Sequence, residues 1–124
     1  MSSRQIQWAL AAVFFVLGGW CLVSPSSVMA LTITPQYRSN DFIALFAIGC
    51  FGAQAILAGL FAAFSRFTKT TFLAYGVALL PFFVFNYWFY VVTPVLSVVG
   101  LLDAVGNVIM LGLCVAGCRR APRN

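Results

Sequence analysis

A chain of 124 residues has room for one domain, and 63% hydrophobic residues with a mean hydropathy of +1.03 exclude an ordinary water-soluble fold, whose apolar share is nearer half. The net charge of +5 does not make a nucleic-acid surface, because the basic residues are not clustered but stand at the edges of apolar runs, where they set orientation and meet anionic lipid headgroups. Histidine is absent and the four cysteines, Cys21, Cys50, Cys114 and Cys118, lie in or at the ends of apolar runs, which argues against a metal or His-based acid/base site and for thiols as small packing groups.

Arg4, Arg38, Asp41, Arg66, Lys69, Asp103, Arg119, Arg120 and Arg123 are the only formally charged residues. Between them run uncharged stretches able to cover a hydrocarbon layer of roughly 30 Å with about 20 residues of helix. In lipid, irregular backbone would strand its N–H and C=O groups, so each stretch must be helical. The first run is Ile6 to Val23, ended by Ser24-Pro25-Ser26-Ser27. A rival reading takes Arg4, this run and Val28-Met29-Ala30 as a signal peptide cleaved after Ala30, although the run exceeds the usual h-region of roughly 7 to 15 residues. Val28 to Gln36 is the one long connection, apolar enough to lie in the outer interface.

The second run, Phe42 to Phe64, is opened by Ser39-Asn40-Asp41, where Asn40 or Asp41 can cap the helix, and Arg38 with Asp41 marks its outer approach. The third, Thr71 to Val92, and the fourth, Val95 to Gly117, are separated only by Thr93-Pro94, a tight turn that predicts an antiparallel hairpin. Pro81 should kink the third helix and free a carbonyl. The expected fold is all-α: one integral membrane four-helix bundle over residues 1–124, with helices at about 6–23, 42–64, 71–92 and 95–117.

With the N-terminus inside, the cytoplasmic side holds Arg4, Arg66, Lys69, Arg119, Arg120 and Arg123 against Arg38 alone outside, so both termini are placed in the cytoplasm. Trp20, Tyr37, Tyr87, Trp88 and Tyr90 form an outer aromatic belt, and Trp8 marks the inner interface.

Asp103 is the most informative residue, since a carboxylate inside a membrane helix costs about 2.5 to 3.5 kcal/mol on insertion scales. Counted from Val95 it lies roughly 12 Å below the outer boundary, and Asn107 shares its helix face one turn deeper. The same counting brings Gln54 and Asn86 into this band, giving a polar cluster of Asp103, Asn107, Gln54 and Asn86. No Lys or Arg is buried to pair with Asp103, which is expected to be protonated and bonded to amides or reached from above by Arg38. The cluster reads as interhelical bonding, as a proton relay or as the polar contact of a lipid-soluble ligand.

Ala55, Gly59 and Ala63 form a small-residue line in the second helix, as do Gly100 with Ala104 and Gly112 with Ala116 in the fourth. Such lines allow close backbone approach, within the chain or to another. The rings from Phe82 to Tyr90 read as lipid-facing groups and interfacial belt, or as the wall of a ligand pocket. No nucleophile–base pair, Gly-rich phosphate loop or ligand set for a metal is visible, so no catalytic residue, cofactor or metal is assigned.

Gly18-Gly19-Trp20 running to Pro25, the Arg38-Ser39-Asn40-Asp41 segment, the Arg66 to Lys69 turn and Asp103 with Asn107 together resemble small four-helix membrane proteins, loosely the DoxX-like group. The resemblance spans most of the chain, is architectural, and implies a four-helix fold without catalytic residues. The leading expectation is a non-catalytic accessory or interaction subunit of a membrane assembly. Its partners would be lipids and other transmembrane helices, in a homo-oligomer or a larger complex, and no nucleic acid. The alternatives are a binder or proton-coupled carrier of a small lipophilic molecule using Asp103, and a small lipid-modifying enzyme.

Overall fold

The computed structural model describes residues 2–122. Arg123, part of the charge count, lies outside them. The described residues form five α-helices: α1 (Ser3–Val23), α2 (Pro25–Thr32), α3 (Phe42–Phe64), α4 (Lys69–Tyr87) and α5 (Leu102–Arg120). Four segments, Ser3–Val23, Phe42–Phe64, Lys69–Val92 and Val99–Arg120, are long and apolar enough to cross a membrane. The short α2 was not expected: the helix break falls on Ser24 alone, and Pro25, with no N–H to leave unpaired, opens a new helix.

Caps set several boundaries. Ser2 accepts from the Gln5 amide while the Gln5 side chain accepts from the Ser2 amide, a capping box that starts α1 at Ser3. Thr68 and Thr71 form the corresponding pair at α4, which begins at Lys69 rather than Thr71. Asp41 stands at the N-cap of α3 without a side-chain cap bond. Pro81 lies inside α4 without ending it, and after Tyr87 the chain loosens into a π-helical turn over Trp88–Val92.

The expected fourth helix from Val95 is corrected. Residues 93–98 are not helical; a 3₁₀ turn over Val99–Leu101 precedes α5. The reason is a long-range pairing. Thr34 N–H donates to the Val95 carbonyl at 2.8 Å and Ser97 N–H to the Thr32 carbonyl at 2.7 Å, around an antiparallel bridge between Ile33 and Leu96. The two connections thus satisfy each other's backbone groups, and Ser97 Oγ, which accepts from Gly100 N–H at 3.3 Å, caps the 3₁₀ turn. Gly100 is required here, because a Cβ would stand 2.6 Å from the Thr32 carbonyl.

The long helices pack in the order α3, α1, α5, α4: α1 lies against α3 and α5, α5 also against α4, while α3 and α4 scarcely approach each other. Small residues let α1 and α3 close up. A Cβ on Gly52 would come within 2.5 Å of the Leu22 nitrogen and 2.6 Å of the Gly18 carbonyl, and one on Gly18 within 2.8 Å of Ala55 Cβ. Hydrophobic burial is concentrated at the end that carries the termini, where Ile6, Leu10 and Ala11 of α1 meet Ala62 and Ala63 of α3, Phe72 of α4 and Cys114 of α5. There Phe67 stands edge-on to Phe72 at 5.1 Å between centroids and tilted against Tyr75 at 5.0 Å. Arg4 Nη1 donates to the Ser65 carbonyl at 3.2 Å, and buried Gln7 donates to the same oxygen, tying the start of α1 to the turn after α3. The opposite end is capped by α2 and the paired connections.

Candidate functional site

Asp103 sits in the first turn of α5. That placement revises its depth, since α5 starts at Leu102 rather than at Val95, and it puts the carboxylate where the positive end of the helix dipole favours a negative group. Its Oδ2 accepts from Asn86 Nδ2 of α4 at 2.9 Å and from Asn107 Nδ2, one turn along α5, at 3.0 Å. Asn86 Nδ2 also donates to the Phe82 carbonyl at 2.7 Å. Both partners of that nitrogen are acceptors, so the amide has one sensible orientation, with Oδ1 turned away from them. Asn86 Oδ1 is buried with no hydrogen-bond partner. An unpaired buried acceptor costs about 1 to 3 kcal/mol and calls for a donor.

Three of the four residues of the expected polar cluster are therefore joined by hydrogen bonds, and Gln54 is not. Gln54 is exposed on α3 and makes no hydrogen bond among the described residues. Its distance along α3 matches the cluster, but its direction around the helix faces the gap left between α3 and α4. Arg38 does not reach Asp103 either: its Nε donates to the Ile33 carbonyl at 2.9 Å, on the exposed side of the capping segment, and the Asp41 amide is held by Ser39 Oγ at 3.1 Å.

Two cavities meet at Asp103. One, of about 460 Å³, lies beneath the capping segments and is walled by Trp20, Val28, Phe85, Leu96 and other apolar groups, with Asn86 and Asp103 as its polar corner. The other, of about 550 Å³, lies among α1, α3, α4 and α5, lined by Val13, Phe14, Tyr75, Met110 and small alanines, with Asp103, Asn107 and Gln54 as its polar groups. Leu17, Phe51 and Phe82 border both. Ala74, Ala78 and Gln54 on the lining are exposed, so the second cavity opens sideways between α3 and α4. Across that opening Tyr75 Oη reaches only to 3.5 Å from the Ala58 carbonyl, the limit of a hydrogen bond. No Lys or Arg lines either cavity.

The rings of α4 divide. Phe82, Phe85 and Phe89 line the cavity under the cap, whereas Tyr87, Trp88 and Tyr90 are exposed and line neither cavity. The line Ala55, Gly59, Ala63 is turned toward α1: a Cβ on Gly59 would stand 3.0 Å from the Phe15 ring. Gly100 faces Thr32 and Leu96, Ala104 is half-buried, and Gly112 has open space around it. Tyr75 and Trp20 as cavity walls, and Ser97 as a cap, were not read from the sequence; the Ser97-Val98-Val99-Gly100 spacing was the available signal for the last. Among the described residues no group of three or more metal-ligating side chains comes together, and the four cysteines are free thiols.

No protein-family model matches the chain, and neither a curated protein nor a solved structure matches it.

Proposed function

We propose that the chain is a multi-pass membrane protein, with both termini in the cytoplasm, that holds a small lipophilic molecule in the cleft around Asp103. The observation that carries this is the conjunction of a sideways-open apolar cleft with a polar corner where Asp103 keeps one carboxylate oxygen without a partner among the described residues. Ligand sites are typically apolar concavities of 300 to 1,000 Å³ with a few placed polar groups, a description that covers both cavities. An opening between two membrane helices admits a molecule from the lipid phase without passage through water. The role proposed is binding or carriage, which the apolar lining of the cleft supports. Kinship with the DoxX-like group belongs to the same proposal and rests on four-helix architecture alone.

The test is native mass spectrometry of the protein released from mild detergent, compared with an Ala78→Trp variant whose indole fills the opening. Ala78 is exposed on the lining and packs no core, so the variant should fold. A retained non-protein mass in the parent that is lost in the variant is expected. No retained molecule in either form, together with no binding of lipophilic probes, would remove the reading.

A second reading, an accessory subunit of a membrane assembly, draws on Gly49 of α3 and Gly112 of α5. Both have open space where a Cβ would project, on helices with many exposed apolar side chains, so another helix can approach closely. A stoichiometric protein partner copurifying in mild detergent and lost in a Gly49→Leu, Gly112→Leu variant would favour it.

A further inference from the structure

We infer that the polar end of the bound molecule is a hydrogen-bond-donating cation, a primary or secondary ammonium on an apolar body, seated on the free oxygen of the Asp103 carboxylate. This deepens the proposed binding role and rests on it.

Most of the donors at the corner are already spent. Both N–H groups of Asn86 Nδ2 are used, on Phe82 and Asp103, and one of the two on Asn107 Nδ2 is used on Asp103. What remains toward a ligand is chiefly the acceptor capacity of Asp103 Oδ1, which makes no hydrogen bond among the described residues. An incoming carboxylate, phosphate or ketone would bring further lone pairs to lone pairs. An alcohol brings one donor and no charge. A primary ammonium brings three donors and a secondary one two.

Charge points the same way. Asp103 has no cationic partner among the residues that line the cavities, and Arg38 is engaged at Ile33. A partly buried ion pair is favourable only when further hydrogen bonds satisfy both ions. Here two amide N–H groups hold the carboxylate on one oxygen and leave the other, Oδ1, to the ammonium. The remaining walls, Trp20, Phe82, Phe85 and Leu17 among them, offer rings and methyl groups to an apolar body, with ring faces available to the cation.

Three probes of one shape separate the contributions on the unaltered full-length protein in detergent micelles: aminoadamantane, adamantanol and trimethyladamantylammonium. Binding is read from the fluorescence of Trp20, with a Trp20→Phe variant marking the signal of Trp8 and Trp88. Aminoadamantane is expected to bind about tenfold or more tightly than adamantanol, the worth of one charge-assisted hydrogen bond. Trimethyladamantylammonium, which has the charge and no N–H, should bind no better than the alcohol. In Asp103→Asn the amine should lose its advantage over the alcohol while the variant melts near the parent, a check that the fold is intact. Equal affinity of amine and alcohol in the parent protein would overturn the ammonium and leave the cleft reading standing. Equal affinity of the primary and trimethyl cations would overturn the role of the hydrogen bonds. Failure of all three probes to bind, with no retained molecule in native spectra, would take the cleft reading and this inference down together.

Discussion

Asp103 shows how one carboxylate can be tolerated in an apolar chain without a cationic partner among the described residues. Two amide donors converge on Oδ2, the first turn of α5 lends its dipole, and the side chain stands at a cavity wall rather than in sealed packing. Replacing it separates shape from bonding. Asp103→Asn keeps the volume and can still accept through its carbonyl oxygen, so thermal stability in detergent should be near that of the parent. Asp103→Leu leaves the Asn107 amide without its acceptor and Asn86 with only Phe82, and should cost roughly 0.6 to 2 kcal/mol, the range for hydrogen bonds between membrane helices. A differential scan in which the leucine variant melts with the parent would show that these bonds carry no stability. Asp103, Asn86 and Asn107 were legible in the sequence as polar residues inside apolar runs. Gln54 was drawn in with them because counting along a helix gives depth and not direction, and its direction depends on which neighbours α3 meets.

At the scale of elements, apolar length located the four long helices and cap chemistry adjusted their ends. The connection at 93–98 escaped that reasoning because Thr93-Pro94 looks locally like a two-residue turn. Its real partner, Thr32 to Thr34, is some sixty residues away, and pairing between distant segments leaves no local pattern. Small residues pose the same problem: a line of them announces close approach without naming the neighbour. Two glycines of α3 give opposite outcomes. Gly52→Ala would press its methyl against the backbone of α1 at Gly18 and Leu22, atoms that cannot rotate aside, and should destabilise by about 1 to 3 kcal/mol. Gly49→Ala meets nothing within 4 Å and gains helix propensity, so it should be neutral or stabilising by up to about 1 kcal/mol. Thermal melts of the two variants in one detergent decide the matter, and equal destabilisation would mean that the α1–α3 crossing is wider than described.

In the whole molecule, packing is uneven along the helices: the tight apolar cluster lies at the end with the termini, and a hydrogen-bonded cap over the cavity beside Asp103 at the other. α1 joins the two halves by lying on both α3 and α5, so cleavage after Ala30 would remove the helix that holds the cleft together. The unevenness matters for function only if the capped end faces outward, and that rests on charge. Arg4, Arg66, Lys69, Arg119 and Arg120 lie at the end of the termini, and Arg38 at the cap. Moving that many basic residues across a bilayer is what the orientation bias resists. Asn40 and Ser65 are suited to test it, because Asn40 is exposed at the capped end and the contacts of Ser65 run through its backbone carbonyl. A membrane-impermeant maleimide added to intact cells should label Asn40→Cys and leave Ser65→Cys unlabelled until the membrane is opened. The parent chain, whose own cysteines all lie in or at the ends of apolar runs, sets the background. Labelling of Ser65→Cys alone in intact cells would invert the molecule and put the cleft's capped end against the cytoplasm.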